Sequence, residues 1–494
     1  MDKDFPEKSG TAGGEFVAEQ HFINVGTESF LEGLRESGTS FSHLAWRPPA
    51  QGDPELVEIL FRLSVNFLDS EGNSLIDKAN TLALERICRG NPVLKGVRPA
   101  HQYLPHFTKN MLLHAGPPVA WPDMCGPMRG AIIGALKYEG MAHSEDEAIA
   151  LMDSGKIFYG PTFPHAVVAP MSGVVSYSMP LAEVRNETFG NAAYSPLNEG
   201  TGFALRFGVH SATVIAHLQW MERVLAPSLN KAVQALGGVN LKNIMSLALS
   251  MGDELHQRNF AATSKFYRTI CVELAEAAPD REEELAIMRF LGQTNDQFFL
   301  NFGMAACRSL LDPASNLPYS SIVTSMGRNG VDFGIHVSGL GNQWFTGPSG
   351  RLKALYLPGY SDKDANSDLG DSSIMECCGL GGFAMASSPA VTRAMREGGL
   401  VEALRVSQDM AAICVGRNPD LPIPNLDFAG APTGIDIRRV VATGILPMVN
   451  SGVSHRLPGF GQIGAGHAAA PMECMKKALR TFYAFLREQA AVTL

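Results

Sequence analysis

Charge is scarce in this chain, and its basic residues form no run. Only 18% of the 494 residues are charged, and the formal net charge is −9. Nucleic-acid binding depends on clustered lysine and arginine, so we expect no nucleic-acid partner. The N-terminus also lacks the apolar core of a signal peptide.

The chain has no long apolar run that would suit a membrane helix. The longest stretch without a charged residue, 157–182, contains four prolines, which a membrane helix would not tolerate so densely. The eight cysteines show no C-x-x-C spacing, and Cys377 and Cys378 are adjacent. These absences argue against a membrane span, a disulfide framework and a structural zinc site, and we expect a cytoplasmic protein.

What the chain does contain is typical of a compact enzyme. Apolar residues make up 45%, and 50 glycines and 30 prolines indicate many turns. A strand at 22–26, a helix at 29–37 and a strand at 40–46 give the β-α-β order that begins a parallel, Rossmann-like unit. We therefore predict an α/β plus α+β protein, with a Rossmann-like domain at 15–110, a helical domain at 206–310, and an α+β domain made of 111–205 and 311–494.

The most informative segment is Ser250–Thr263, S-M-G-D-E-L-H-Q-R-N-F-A-A-T. Its polar residues stand within apolar, helix-like flanks, where burying charge is costly unless the charges are paired. If the segment is helical, Glu254 and Arg258 are i,i+4 neighbours. The segment predicts a catalytic or anion-binding group; the alternative is a polar helix–helix contact fixed by a Glu–Arg ion pair.

Glycines near the C-terminus form a G-x-G-x-x-G pattern at Gly459, Gly461 and Gly464. A dinucleotide site requires a continuing βαβ unit after this pattern, and only one helix follows, so we reject that interpretation. The glycines allow a close backbone approach, to a small anion or to a neighbouring segment, and both alternatives stay open.

The segment 364–376 is the densest in acidic residues. It lacks the spacing of an EF-hand and contains neither histidine nor a cysteine ligand pattern, so a solvated turn explains Asp364 and Asp368 more simply than Mg²⁺ or Ca²⁺. Asp371 and Glu376 are better site candidates because they lead into an uncharged, glycine-rich run. We expect no metal ion and no cofactor.

Other candidates stand in loop-like sequence. Arg328, beside Asn329, is a plausible bidentate clamp for a carboxylate or phosphate; Arg47, Arg129 and Arg206 are weaker candidates for the same task. The favoured role of Asn295 or Asp296 is a helix N-cap. The sequence contains no G-x-S-x-G, H-E-x-x-H or P-loop motif, which removes the usual support for a serine hydrolase, a zincin or a kinase.

Several of these motifs together resemble the YlbE/AllG-like family, in order from about residue 20 to 480. The motifs that carry the resemblance are Asn24-Val-Gly26 through Trp46-Arg-Pro-Pro-Ala50, His114-Ala-Gly-Pro-Pro118, Gly252-Asp-Glu-Leu-His-Gln-Arg-Asn259, Asn295-Asp296 with Phe298-Phe-Leu-Asn301, Met326-Gly-Arg-Asn-Gly330, Gly370-Asp-Ser372 and Gly461-Gln-Ile-Gly-Ala-Gly466. The resemblance implies an N-terminal Rossmann-like domain followed by α+β and helical domains.

The resemblance also implies a function. The family accompanies FdrA-like proteins and includes a subunit of oxamate carbamoyltransferase, which converts oxalurate and phosphate into oxamate and carbamoyl phosphate during allantoin catabolism. The Ser-Thr-Arg-Thr phosphate loop of aspartate and ornithine carbamoyltransferases is missing here. If the chain transfers carbamoyl groups, it must therefore do so on a different scaffold, or a partner subunit must hold part of the site. We expect a ureido or carboxylate substrate, phosphate, an FdrA-like partner and a homo-oligomer. The alternatives are a non-catalytic scaffold subunit and a stand-alone cyclic-amide or ureido-acid hydrolase.

The resemblance brings no residue roles, so we assign them from chemistry. The expected catalytic residues are His256, as proton donor to the departing nitrogen, with Asp253 and Glu254. The expected substrate-binding residues are Arg258, Asn259, Arg328, Asn329, His114, Asp371, Glu376, Gly461 and Gly464.

Overall fold

The computed structural model describes residues 21–44, 46–395 and 398–493. Within these ranges the helices are α1 Leu31–Glu36, α2 Pro54–Val65, α3 Leu75–Arg89, α4 Ala100–Tyr103, α5 Gly126–Tyr138, α6 Glu145–Asp153, α7 Ala212–Trp220, α8 Ala226–Ala235, α9 Leu241–Ser250, α10 Phe260–Ala277, α11 Arg281–Arg289, α12 Phe299–Leu311, α13 Ile374–Cys377, α14 Pro389–Met395, α15 Gly399–Ala412, α16 Ile437–Thr443 and α17 Met472–Thr493.

The strands of the described residues are β1 Phe22–Val25, β2 Phe41–Leu44, β3 Pro92–Pro99, β4 Met111–His114, β5 Phe158–Pro161, β6 Val174–Val175, β7 Pro180–Asn186, β8 Ala192–Pro196, β9 Val239–Asn240, β10 Val323–Asn329, β11 Asp332–Val337, β12 Phe345–Pro348, β13 Lys353–Tyr356, β14 Leu369–Gly370, β15 Cys414–Ile423, β16 Ala429–Ile435, β17 Met448–Ser454 and β18 Gln462–Ala469. The predicted mixture of helices and strands is confirmed.

The first of two compact units ends at Asp53, and the second begins at Pro54. In the first unit, β1 and β2 run parallel, with Phe22 opposite Phe41, and α1 connects them. This is the predicted β-α-β order, but the sheet has only these two strands among the described residues. A Rossmann-like domain is therefore not confirmed.

The strand β3, which falls within the predicted Rossmann-like domain at 15–110, belongs to the second unit. It pairs antiparallel with β7 and with β9, in a sheet of order β8-β7-β3-β9. Its burial on both faces, which suits a parallel sheet, here results from packing against α8 and α12. The division of the chain into domains at 110, 205 and 310 stays a prediction.

Antiparallel pairing dominates the other sheets of the second unit. Their orders are β12-β11-β10-β14, β13-β18-β17, β15-β16 and β5-β4-β6, and only the β4–β5 pair is parallel. Residues from α7 to α12 are mainly helical, as the sequence predicts. Asp280 caps α11 by accepting the N–H of Glu283 at 3.0 Å.

The helix α12 forms the centre of the second unit. All thirteen of its residues are buried, and it packs against α10, α13, β7 and β8. Phe302 packs against Phe266 of α10, with ring centroids 4.8 Å apart. This packing fixes α10 and α13, which flank the candidate site described below. No helix in the described part of the chain is long and apolar enough to cross a bilayer.

Candidate active site

The polar segment between α9 and α10 is a loop and not a helix. Gly252 and Leu255 adopt positive φ angles of 95° and 68°, and the N–H of Leu255 donates to the carbonyl of Arg258 at 3.1 Å. The i,i+4 geometry considered for Glu254 and Arg258 is therefore wrong. Arg258 instead places Nε 3.3 Å from Oδ1 of Asp253, and its side chain is 40% exposed.

Two buried carboxylates shape this loop. Oδ2 of Asp253 accepts the N–H of Ala262 at 2.9 Å. The Glu254 carboxylate accepts the backbone N–H groups of Gln257 and, at 3.0 Å, Arg258. Burial raises the pKa of both carboxyl groups, and these hydrogen bonds oppose that rise.

His256 and Glu376 form a hydrogen-bonded pair inside the protein. Nδ1 of His256 lies 2.7 Å from Oε1 of Glu376, and the two side chains are 3% and 0% exposed. A neutral imidazole that donates from Nδ1 keeps Nε2 as its basic nitrogen. A carboxylate in this position also stabilises the imidazolium that forms when Nε2 takes a proton. The pair therefore has the arrangement of a general acid–base.

Backbone groups hold the Glu376 carboxylate in place. Oε1 also accepts the N–H groups of Gly382 and Asn450, each at 3.1 Å. Oε2 is buried and has no hydrogen-bond partner among the described residues. A Cβ at Gly381 would lie 2.1 Å from Oε1 and 2.9 Å from Cβ of His256. Only glycine at this position allows the pair to form.

A cavity of about 50 Å³ adjoins the pair, and His256 is part of its wall. We call it the histidine cavity. Its other polar lining residues are Thr201, Arg206, Gln257, Gln297, Ser372 and Gln462, and its apolar lining includes Met171, Phe207 and Leu300. Amide and guanidinium groups can donate to carboxylate and carbonyl oxygens, and glutamine can also accept from an amide N–H. The lining therefore suits a small ligand that carries both kinds of group.

Asn259 connects the loop to the cavity wall. Its Nδ2 donates to the carbonyl of His256 at 3.0 Å and to Oε1 of Gln297 at 2.9 Å. Gln297 in turn donates from Nε2 to the carbonyl of Gln257 at 2.7 Å. These bonds fix the amide of Gln297 at the cavity, so Asn259 contacts lining residues and is not itself part of the lining.

Arg328, the expected anion clamp, is fully buried and engaged by the protein itself. It makes a bidentate pair with Asp368 at 2.9 and 3.1 Å, and it donates to the Gly370 carbonyl at 2.8 Å and to Oγ of Ser451 at 3.2 Å. The solvated turn expected for Asp368 is wrong, because Asp368 is 2% exposed and pairs with Arg328. A substrate role for Arg328 stays a prediction that these contacts do not support.

Asp371, Asn329 and His114 also have protein partners. Asp371 accepts N–H groups of Gly116 at 2.8 Å and Ala169 at 3.0 Å and the Thr162 hydroxyl at 2.7 Å; burial raises its pKa. Oδ1 of Asn329 accepts the N–H groups of Val331 and Asp332, at 2.8 and 2.7 Å. Nδ1 of His114 lies 2.9 Å from the Ala115 carbonyl, and burial lowers its pKa. None of the three lines the histidine cavity.

The C-terminal glycines approach neighbouring backbone. A Cβ at Gly461 would lie 2.5 Å from the Gly202 carbonyl oxygen, and one at Gly464 would lie 2.6 Å from that of Leu355. Gly464 is part of β18, which pairs with β13. Of the two alternatives for these glycines, these contacts match the close approach to a neighbouring segment.

The acidic residues of the segment 364–371 have different partners and do not form one cluster. Asp364 caps a short turn through Ser361, with its Oδ2 2.9 Å from both the N–H and the hydroxyl of that serine. Asp368 and Asp371 are engaged by Arg328 and by backbone donors, as described above. Within the described ranges, no group of three or more histidine, cysteine, aspartate or glutamate side chains is arranged to hold a metal ion.

Sequence reasoning missed most of the cavity lining. Gln257 stands in the polar segment, and Ser372 and Gln462 stand in motifs of the family resemblance, but none of the three has a predicted role. Gln297 and Thr201 give no signal, because single polar residues are common in such sequence. Arg206 was only a weaker candidate. The sequence around it does not show that it is 5% exposed or that it lines the same cavity as His256.

Comparison with known proteins identifies the family of the chain. A family model described as "Oxamate carbamoyltransferase subunit AllG" matches residues 157–372. The Escherichia coli K12 protein of that name is 43% identical over 82% of this chain and 97% of its own length. The uncharacterized protein YahG of the same organism is 41% identical over 92% of this chain and 96% of its own length.

A solved structure has the same fold. The crystal structure of a conserved protein of unknown function from Enterococcus faecalis V583 superposes with a TM-score of 0.81 at 41% identity, covering 83% of this chain and 98% of that one. The level of identity and coverage with the curated relatives establishes that this chain belongs to the AllG family.

Proposed function

We propose that this member of the AllG family is the part of a carbamoyltransferase that moves a carbamoyl group between a ureido acid, such as oxalurate, and phosphate. The observation that carries the proposal is the buried His256–Glu376 pair at the wall of a small cavity rich in amide side chains. A relative named as an oxamate carbamoyltransferase subunit supports the reaction class.

The proposed reaction needs one proton to change places. An oxygen of hydrogen phosphate attacks the carbamoyl carbon of oxalurate, and the C–N bond to the oxamate nitrogen then breaks. The proton that leaves the phosphate must reach that nitrogen, because an amide anion is a poor leaving group. Nε2 of His256 accepts the first proton and donates it to the departing nitrogen, while Glu376 stabilises the intermediate imidazolium.

The glutamines suit the uncharged part of such a substrate. The ureido group presents N–H donors and carbonyl acceptors, and a primary amide can pair with both. Gln297 is held by Asn259 and by the Gln257 carbonyl, so it is oriented before a ligand binds. Such preorganisation lowers the entropy cost of binding.

We further propose that the chain works in a complex with an FdrA-like partner. The name of the relative includes the word subunit. The histidine cavity is lined by one guanidinium, that of Arg206, and apart from His256 its other polar lining side chains are uncharged, so it offers few of the cationic donors that phosphate needs. A partner that extends the cavity would supply the remaining phosphate contacts.

The test is to incubate oxalurate and phosphate with the purified chain, alone and with an FdrA-like partner, and to assay carbamoyl phosphate and oxamate. We expect turnover with the partner and loss of about 10²–10⁴-fold in kcat for His256→Ala. His143→Ala, at an exposed histidine, should match the wild type. Reaction without phosphate would indicate the hydrolase alternative, and full activity of folded His256→Ala the scaffold alternative.

A further inference from the structure

The guanidinium group that reaches the histidine cavity belongs to Arg206. It is 5% exposed, and it lines both the histidine cavity and a second cavity of about 30 Å³ that also contains Glu199. Arg258, which was expected to bind the substrate, does not line the histidine cavity. Arg328 is engaged by Asp368. Arg206 is therefore the arginine positioned to meet a ligand beside His256.

Two reciprocal contacts close the loop that carries Arg206. The Glu199 carboxylate, near the start of the loop, accepts the N–H of Leu205 at 2.6 Å. Nε and Nη2 of Arg206, at its end, donate to the Gly200 carbonyl at 3.0 and 2.7 Å. These bonds fix the plane of the guanidinium and leave its Nη1 edge for a ligand.

We propose that Arg206 binds the carboxylate of the substrate and that Glu199 is the positioning residue that holds Arg206 for this task. The inference rests on the proposed function for the identity of the substrate. A buried guanidinium needs an anionic partner. None of the ion pairs among the described residues, taken at 4 Å or less, includes Arg206.

Charge and hydrogen-bond geometry favour a carboxylate over phosphate as the ligand of Arg206. Burial raises the pKa of Glu199 to about 7 and lowers the pKa of Arg206 to about 10, and the charge of each partner opposes the shift of the other. The two side chains together therefore carry at most one net positive charge. A planar monoanion can accept two parallel hydrogen bonds from it, whereas a phosphate dianion needs further donors.

The test measures binding without turnover, using oxamate and its uncharged analogue oxamide. By calorimetry, the wild-type chain should bind oxamate more tightly than oxamide. Arg206→Met should lose that preference, with oxamate affinity falling about 10- to 100-fold, because a hydrogen bond to a charged group is lost. Glu199→Ala should weaken oxamate binding in the same sense, and Glu199→Gln should restore it, because the amide oxygen can still accept from Leu205.

Glu283→Gln is the matched control. Glu283 accepts the Trp220 indole N–H at 2.8 Å, and neither residue lines either cavity, so its loss should leave the oxamate preference unchanged. Circular dichroism and melting on the same preparations verify that each variant is folded.

Three results would overturn the inference. The folded Arg206→Met variant could still prefer oxamate over oxamide, or the wild type could bind neither compound. The third result is that inorganic phosphate, and not oxamate, binds through Arg206. The proposed function fails separately, if oxamate binds through Arg206 but no carbamoyl transfer occurs with or without the partner. Equal oxamate binding by Glu199→Ala and the wild type would remove the positioning role of Glu199.

Discussion

The decisive perturbation of the acid–base pair is Glu376→Gln. Oε1 of Glu376 accepts from His256, Gly382 and Asn450, and a glutamine oxygen can accept the same three bonds. The substitution therefore keeps the shape of the pair and removes its negative charge. The imidazolium that forms during proton transfer then loses its counter-charge.

The expected loss follows from this geometry. A charge-stabilised imidazolium and correct tautomer are worth about 10²–10⁴-fold in kcat, or about 3–5 kcal/mol of transition-state stabilisation. Stability should change little, within about 2 kcal/mol. The new amide N–H replaces Oε2, which has no partner, so an unsatisfied donor offsets the relief of removing a buried charge.

The assay is carbamoyl phosphate formation from oxalurate and phosphate by the complex, with melting measured on the same protein. Asp436→Asn is the matched control: this carboxylate is also fully buried, and it pairs with Arg438 away from the cavity. It should lower the melting temperature and spare kcat. Because His256 and Glu376 act as a unit, Glu376→Gln should add almost nothing to His256→Ala. A folded Glu376→Gln variant with near-wild-type kcat would refute the reasoning.

Three further perturbations test the surroundings. Gly381→Ala should abolish turnover in a folded protein, because its Cβ would displace the carboxylate of Glu376; kcat compared with the melting temperature checks this. Arg328→Met should cost about 3–5 kcal/mol in urea unfolding by leaving Asp368 buried and unpaired, and oxalurate affinity lost without destabilisation would instead restore its predicted substrate role. Burial raises the pKa of Glu199 from 4.5 to about 7, so Glu199 keeps its proton in the folded protein at pH values where the unfolded chain has lost it. The free energy of unfolding of the wild type should therefore fall by roughly 3 kcal/mol as the pH rises through this range. Glu199→Gln should reduce this fall, which melting at pH 5 and pH 8 measures.

The sequence predicted the position of the site better than its geometry. Charged residues in apolar flanks identified the 253–259 segment because buried charge needs partners. The same reasoning could not separate His256, which lines a cavity, from Arg328, whose partner Asp368 stands 40 residues away. Both are polar residues in apolar sequence. Only the fold shows that the side chain of Arg328 is hydrogen-bonded within the protein, whereas His256 lines a cavity that a ligand can enter.

The fold shows the same division between local and long-range information. Local patterns predicted β1, α1 and β2 near their observed bounds, because helix and strand periodicity is a property of the segment itself. The partner of β3 could not be predicted in this way, because its apolar sequence fits either a parallel or an antiparallel sheet. Leu255 with φ 68° is a second case, since a non-glycine residue rarely adopts that conformation.

The unpartnered atoms near the His256–Glu376 pair bear on whether the chain is catalytic or a scaffold. Three buried acceptors there have no donor among the described residues: Oδ1 of Asn259, Oδ1 of Asn450 and Oε2 of Glu376. A purely structural polar contact is expected to be satisfied, because each buried acceptor without a donor costs about 1–3 kcal/mol. The Arg328–Asp368 pair, by contrast, is satisfied on every side. Polar groups left unsatisfied at a cost in stability cluster at functional sites, and this contrast supports the proposed catalytic role of the His256–Glu376 pair over a scaffold role.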